Sequence, residues 1–215
     1  MIISQGGVAM KSTKEKILIE ALTLFSENGY ESVSVNQIAL AVGIKAPSLY
    51  KHYKNKKDIF NAIILNMQNR YLEFAKELEM NGILPEQDKE RFINISEIEL
   101  INLGKSMFLY FLHDEFQSKF RKMLTIEQFK NKELAKEYIK QYFDDSLTYQ
   151  QFIFKMLSQQ NVLIDEDPSI IALHFYGPIY FLISLCDACP EREEEALKTL
   201  EKHIQQFNRL YRNLK

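Results

Sequence analysis

From Ser12 onward the apolar residues recur every three to four positions. Ile17, Leu18, Ala21, Leu22 and Phe25 fall on one face of a helix. Ser12 and Glu15 stand at capping-box spacing before it, and Asn28-Gly29 ends it, because glycine takes the left-handed turn that follows a helix. Ser34 and Gln37 repeat the box before a short second helix, in which Val35, Ile38, Ala39 and Val42 face inward and which Gly43 stops. A third short helix is predicted over 46–53, opening at Ala46-Pro47, where proline fits the first turn. Asn55 and Asp58 cap a much longer fourth helix that runs to about Glu79. Asn81-Gly82 and Pro85 mark the first real break. Beyond it the spacing predicts helices over about 88–112, 115–129, 132–159, 168–187 and 191–213. Strand alternation is absent apart from a weak hint at Val33–Val35, and there is no internal repeat. The expected fold class is all-α: an N-terminal three-helix unit followed by a helical bundle.

Composition agrees with long helices. Seven Gly and five Pro in 215 residues are about half the usual share, which argues against a turn-rich β-sandwich. An apolar content of 46% excludes a disordered chain. A chain of this length buries roughly 70% of its unfolded surface, enough for a core without staples. Two cysteines, no secretory signal pattern and no run of about 18 apolar residues lead to the expectation of a cytoplasmic protein without a membrane segment. Residues 1–11 are expected to be a disordered leader.

The net charge of −2 hides a division. Residues 1–60 hold 8 Lys and no Arg against 5 Asp and Glu, whereas residues 61–215 hold 19 Lys and Arg against 24 Asp and Glu. Residues 34–53 read as helix, glycine turn, helix, with Ala39 allowing close packing and Ile44 and Leu49 plugging the gap. An αα-hairpin inside a bundle has the same outline, but the surface chemistry favours a helix-turn-helix, whose second helix enters the major groove. The helix over 46–53 presents Ser48, Tyr50, Lys51 and His52, all hydrogen-bond donors and none acidic. Lys56 and Lys57 then sit in the first turn of the fourth helix, where the macrodipole is already positive and an incoming phosphate would be welcome.

The stretch Thr13 to Ile63 closely resembles the DNA-binding domain of TetR-family transcriptional regulators. The matching pieces are Ala21, Phe25, Gly29-Tyr30, Ser34-Val35, Ile38-Ala39, Ala41, Gly43-Ile44, Ser48-Leu49-Tyr50, His52-Tyr53 and Lys56-Lys57-Asp58, in order and at the right spacing. The resemblance implies that Ser48, Tyr50 and His52 contact bases or phosphates, that Lys56 grips phosphate, and that Asn36 reaches DNA from the second helix. Ser34, Lys45, Ala46, Pro47 and Lys51 complete the expected interface. Val33, Lys45, Asn36 and Ala46 depart from the common pattern. An alanine makes no bidentate base contact, though it can meet a thymine methyl, so base preference does not carry over. The expected organisation is a helix-turn-helix domain over 12–56 and a ligand-binding and dimerisation domain over 57–215, joined by the fourth helix as a lever.

In residues 80–215 only the layout resembles the family: Asp167-Pro168 opening an apolar helix with Gly177-Pro178 at its centre, then a final amphipathic helix. In TetR-like proteins this part binds a small molecule and forms a homodimer. The helix over 168–187 is apolar nearly all round, so it requires cover on every side, either as a core helix of a monomer or against a second copy. His174, Gly177, Pro178, Phe181 and Leu185 form a stripe at i, i+3, i+4, i+7 and i+11, assigned to the dimer interface, with Phe207 of the last helix beside it. Aromatics crowd this half. Met107, Phe108, Phe111, Tyr149, Phe152, Met156, Tyr176 and Tyr180 are the expected lining of an apolar ligand pocket, although each alone is as consistent with ordinary core.

Other signals carry less. Cys186 and Cys189 are a single Cys-x-x-Cys with no second pair to complete a zinc site, and His113-Asp114 lacks partner ligands for a metal phosphohydrolase. No phosphate-binding loop, dinucleotide fingerprint, nucleophile elbow or His-Glu-x-x-His is present, so neither catalysis, a cofactor nor a metal is expected. The function expected is a ligand-responsive, sequence-specific repressor of transcription that binds an inverted-repeat operator in double-stranded DNA as a homodimer. The alternative is a helical small-molecule-binding or scaffold protein without specific DNA binding.

Overall fold

A computed structural model describes residues 12–213; the expected leader lies outside them. Among these residues there is no β-strand, only an isolated bridge between Leu163 and Arg212. The contacts divide the chain into two compact units between Asn66 and Met67.

The first unit contains α1 (Thr13–Asn28), α2 (Val35–Val42), α3 (Ala46–Tyr50) and the start of α4 (Lys56–Glu77). Both expected capping boxes form, Ser12 with Glu15 and Ser34 with Gln37. Gly43 adopts the left-handed conformation (φ 77°, ψ 28°) that ends α2, which a side chain would resist. Ile17, Ala21, Phe25, Ile38, Leu49 and Ile59 are all fully buried, and α2 packs on both α1 and α3. Burying one such side chain is worth about 1.5–3 kcal/mol. Helix α3 has five residues, and the backbone N–H groups of His52 and Tyr53 continue its turn by bonding to the Leu49 carbonyl at 2.8 and 3.1 Å. The chain at Val33 forms no strand.

The second unit contains the rest of α4 and α5 (Pro85–Asn94), α6 (Glu97–His113), α7 (Glu115–Glu127), α8 (Lys132–Ile139), α9 (Asp145–Gln159), α10 (Pro168–Ala188) and α11 (Glu193–Tyr211). The single helix expected over 88–112 is two. Ser96 and Glu99 form a third capping box, and Ile95 before them is extended, so the ladder restarts there. The helix expected over 132–159 is interrupted by a π-helical turn at Lys140–Asp144, which places Tyr142 inside. A 3-10 turn at Pro190–Arg192 precedes α11.

Helix α10 packs on α6, α9 and α11, and α5 packs on α9. One core joins Ile101, Phe108, Leu182, Ile183, Leu200 and Ile204; another joins Ile153, Phe154, Leu157, Ile171, Ala172 and Phe207. Arg121 is buried on α7, where its guanidinium holds Asp187 at 2.5 and 2.7 Å and the Phe111 carbonyl at 2.8 Å. Helix α10 is long and apolar enough to cross a membrane by length and composition. Its packing within the protein covers only one side of it. One face enters both cores, and the other leaves Ile170, Leu173 and Phe181 exposed.

A candidate nucleic-acid interface and an apolar cavity

In the first unit the glycine turn at Gly43 sets α3 against α2, and Leu49 anchors α3 from below. This leaves Lys45, Pro47, Tyr50, Lys51 and His52 on the open side, with Ala46 and Ser48 half-buried. Tyr50 is 51% exposed although aromatic. Asn36 is exposed on α2. Ser34 is exposed too, but its hydroxyl already donates to Gln37 Oε1 at 2.8 Å and accepts from the Gln37 amide at 3.3 Å. The expected recognition residues on and beside α3 are thus exposed or half-buried, and none of them is acidic.

Lys56 is placed differently from the expectation. Its ammonium donates to the carbonyls of Tyr30 (2.8 Å) and Glu31 (3.3 Å) and lies 4.3 Å from the Tyr30 ring centroid. The lysine thus clamps the chain beyond α1 to the start of α4. Carbonyl dipoles and a ring face supply the negative partner that a cation at a helix N-terminus requires. Asn55 and Asp58 cap the same turn from both sides, at 2.8 and 3.1 Å. Lys57 beside it is exposed.

In the second unit, α5, α6, α9, α10 and α11 surround a cavity of about 80 Å³. Phe92, Ile153, Phe154, Leu157, Phe175 and Phe207 are among its walls, which are almost wholly apolar. The polar wall residues are largely committed elsewhere. Asn208 donates to Glu97 at 2.8 Å, and Arg212 donates to the Ile95 carbonyl at 3.0 Å. Tyr149 donates to Asp88 at 2.6 Å. Burial, and then that bond to a carboxylate, push the Tyr149 phenol well above its ordinary range.

Asp88 is 2% exposed and is the centre of a small network. It accepts from the backbone amides of Asn81 (2.6 Å) and Gly82 (2.8 Å) as well as from Tyr149. Gly82 has φ +74°, and a Cβ there would lie 2.9 Å from Ala75 Cβ, so the turn after α4 admits glycine best. Tyr71 of α4 donates to the Gly82 carbonyl at 3.2 Å. Burial and the nearby Asp88 charge push the Tyr71 phenol up to about 12.

Of the residues expected to line a pocket, the structure brings only Tyr149 to the cavity wall. Met156 packs against the same core from outside the wall, and Phe152 is 47% exposed. The wall of α9 follows 149, 153 and 157 at i, i+4 and i+8, not 149, 152 and 156. Met107 packs beside Leu103 and Ile95. Phe108 lies in the core of α6, α10 and α11, and Phe111 packs against that core and stacks on Tyr71. Tyr176 donates to the Tyr142 carbonyl at 2.8 Å, while Tyr180 and Tyr138 share a 2.5 Å hydrogen bond. These two belong to a separate tyrosine cluster beside the π-helical turn.

Of the expected dimer residues, His174, Pro178 and Phe181 are exposed on α10, with Gly177 and Leu185 half-buried on the same side. A Cβ on Gly177 would meet nothing within 4 Å. Phe207 is not on that face: it is 5% exposed, in the protomer's own core and the cavity wall. Cys186 is buried and Cys189 half-buried, both as free thiols, and burial pushes the Cys186 thiol up. His113 pairs with Glu193 at 3.0 Å, and Asp114 caps α7 and holds Arg70. Among the described residues no group of His, Cys, Asp and Glu could hold a metal. The cavity residues missed in the sequence, chiefly Phe92, Phe154 and Phe175, look like any other helical aromatics there.

The molecule is thus an all-α protein with a helix-turn-helix domain at its N-terminal end and a cavity-bearing helical domain after it. Residues 17–63 match the family of bacterial regulatory proteins, tetR family. The chain is 43% identical over 61 residues to the biofilm operon icaADBC HTH-type negative transcriptional regulator IcaR of Staphylococcus epidermidis, a match covering 28% of this chain and 33% of that protein. The chain spans about a third of the length of the curated relatives it matches. Solved structures extend the likeness of fold over most of the chain. SmeT, the repressor of the Stenotrophomonas maltophilia multidrug efflux pump SmeDEF, superposes with a TM-score of 0.64 at 20% identity, covering 94% of this chain and 92% of SmeT. A TetR-family transcriptional regulator of Pseudomonas syringae gives 0.68 at 14% identity, covering 96% and 100%. Residues 17–63 are thus similar to the DNA-binding domain of TetR-family regulators, and the chain shares the fold of the solved TetR-family structures.

Proposed function

We propose that this protein is a ligand-responsive, sequence-specific DNA-binding regulator of transcription, and that it represses. The observation that carries this is the acid-free polar face of Tyr50, Lys51 and His52, held outward by buried Leu49 in a TetR-family domain. Asn36, Lys45, Ala46, Pro47 and Ser48 complete the reading face. Exposed Lys51 and Lys57, with backbone amides of the α4 first turn, take phosphates. Lys56 contributes by fixing that turn. IcaR, which resembles this chain in the DNA-binding domain, is a negative transcriptional regulator.

The protein acts as a homodimer in the cytoplasm. The stripe of exposed His174, Pro178 and Phe181 with half-buried Gly177 and Leu185 on α10 meets its two-fold copy, which covers the apolar side that the protomer leaves open. A small apolar molecule in the cavity releases the DNA. SmeT has been solved in a complex with triclosan. In this chain the cavity wall is tied to α4 by hydrogen bonds running from Tyr149 through Asp88 and Gly82 to Tyr71. A ligand that displaces Tyr149 disturbs the turn at the end of α4, the helix that begins in the DNA-reading domain. A coupling of about 1–3 kcal/mol changes DNA affinity roughly 5–150-fold.

Selection from random duplexes with the purified protein at low salt tests the reading. The expected product is an inverted repeat with half-sites about one helical turn apart, roughly 34–36 Å. Failure to enrich any repeat, with negligible and salt-independent affinity for duplex, would select the binding or scaffold protein instead.

A further inference from the structure

One residue that lines the cavity carries a buried polar atom whose bonding is unfinished. It is Gln150, and the Gln150 Oε1 is buried with no hydrogen-bond donor. A buried carbonyl oxygen left without a donor costs free energy, so a donor brought by a ligand is selectively rewarded there. The remaining polar wall groups differ. Tyr149, Asn208 and Arg212 each already donate to an oxygen of the protein. Around them the walls are phenylalanine, leucine, isoleucine and valine.

Resting on the reading of this cavity as the effector site, we propose that its ligand is a neutral, apolar molecule of about one-ring size with a single O–H or N–H donor, accepted by Gln150 Oε1. Neutrality follows from the walls. An ion entering them sheds its water among hydrocarbon, which is costly without a dedicated partner; the one charged wall residue, Arg212, is half-buried and gives one N–H to the Ile95 carbonyl, and benzoate is the probe that reads its remaining donors. The size follows from the volume. About 80 Å³ exceeds the space of a single water several times, yet is near half of an apolar cavity of roughly 150 Å³ that accepts benzene. A ring therefore enters only as the walls part. The wall that parts includes Tyr149, so occupancy and the Asp88 network are linked by volume as well as by chemistry.

Calorimetric titration of the full chain with four probes of nearly equal shape tests this: phenol, anisole, toluene and benzoate. Phenol is expected to bind about five- to tenfold more tightly than anisole or toluene, the value of one buried neutral hydrogen bond. Benzoate is expected to bind more weakly than phenol. In Gln150→Leu the preference for phenol over anisole should fall to about one, with toluene bound at least as well as before. The comparison of phenol with anisole uses the unaltered protein and stands even if the variant folds poorly. Equal binding of phenol and anisole, or benzoate as the tightest probe, overturns the assignment of ligand class while leaving an effector cavity in place. No binding by any probe overturns both.

Discussion

Replacing Tyr149 by phenylalanine removes one oxygen and leaves the ring in the cavity wall. That oxygen is one of three donors to a carboxylate that is 2% exposed; the other two are the amides of Asn81 and Gly82. A hydrogen bond to a charged group is worth about 1.5–3 kcal/mol, and the full loss of a buried partner about as much. Asp88 keeps two amides, so about 2 kcal/mol is expected. In a chain of this size 1 kcal/mol moves the melting point by roughly 2–4 °C, so Tyr149→Phe should melt about 4–8 °C lower. Urea unfolding should show a lower midpoint at unchanged slope. A cycle with Asp88→Ala isolates the pair, with an expected coupling of about 1–2 kcal/mol. A phenylalanine variant within about 0.5 kcal/mol of the parent, or additive single variants, would refute the idea that Asp88 needs the phenol.

Three further outcomes separate roles within the molecule. Leu49→Ala should destabilise the first unit by about 2–5 kcal/mol, whereas Tyr50→Ala should leave the melt unchanged within about 0.5 kcal/mol and weaken operator binding; equal melts for both would contradict the assignment of inner and outer faces. Lys57→Ala should lower the slope of log affinity against log salt by about 0.9, while Lys56→Ala should chiefly cost stability, about 1–2 kcal/mol, through its lost bonds to Tyr30 and Glu31; a salt slope altered only by Lys56 would reverse these roles. Finally, Tyr71 titrates near 12 when folded and near 10 when unfolded, so its proton is retained longer in the native state. Its contribution is present below pH 10 and is lost as pH rises towards 12. Denaturant melts across that window should show a shallower decline in Tyr71→Phe than in the parent.

The first unit was legible because its signals are local. Two capping boxes, Gly43 and the spacing of Ile17 to Phe25 act over a few residues, and each appears where it was read. Ser96 and Glu99 have the same spacing, and their box, passed over inside an apolar run, divides one expected helix into two. Lys56 shows the limit of local reading. A cation at a helix start looks unsatisfied until the fold returns the Tyr30 and Glu31 carbonyls to it from 25 and 26 residues away. The cavity was harder still. It exists only where five helices converge, and neither Phe154 nor Phe207 differs in sequence from an aromatic packed solid. On α9 the choice between 149-152-156 and 149-153-157 depends on which neighbour each side of the helix meets, which periodicity alone leaves open.

The border between the two compact units falls inside α4, between Asn66 and Met67, and not in a loop. A protease looking for an extended, unprotected stretch finds none at that place, since every peptide there is held in a helical ladder. Trimming the chain at the border would leave the first unit with a helix whose last carbonyls have lost their donors. A DNA-reading fragment suited to separate study should therefore carry α4 onward to its natural stop at Glu77, and with it the apolar side chains that α4 otherwise buries in the second unit, among them Ala75. Those side chains would meet water in the fragment, which makes self-association the expected behaviour of the isolated piece.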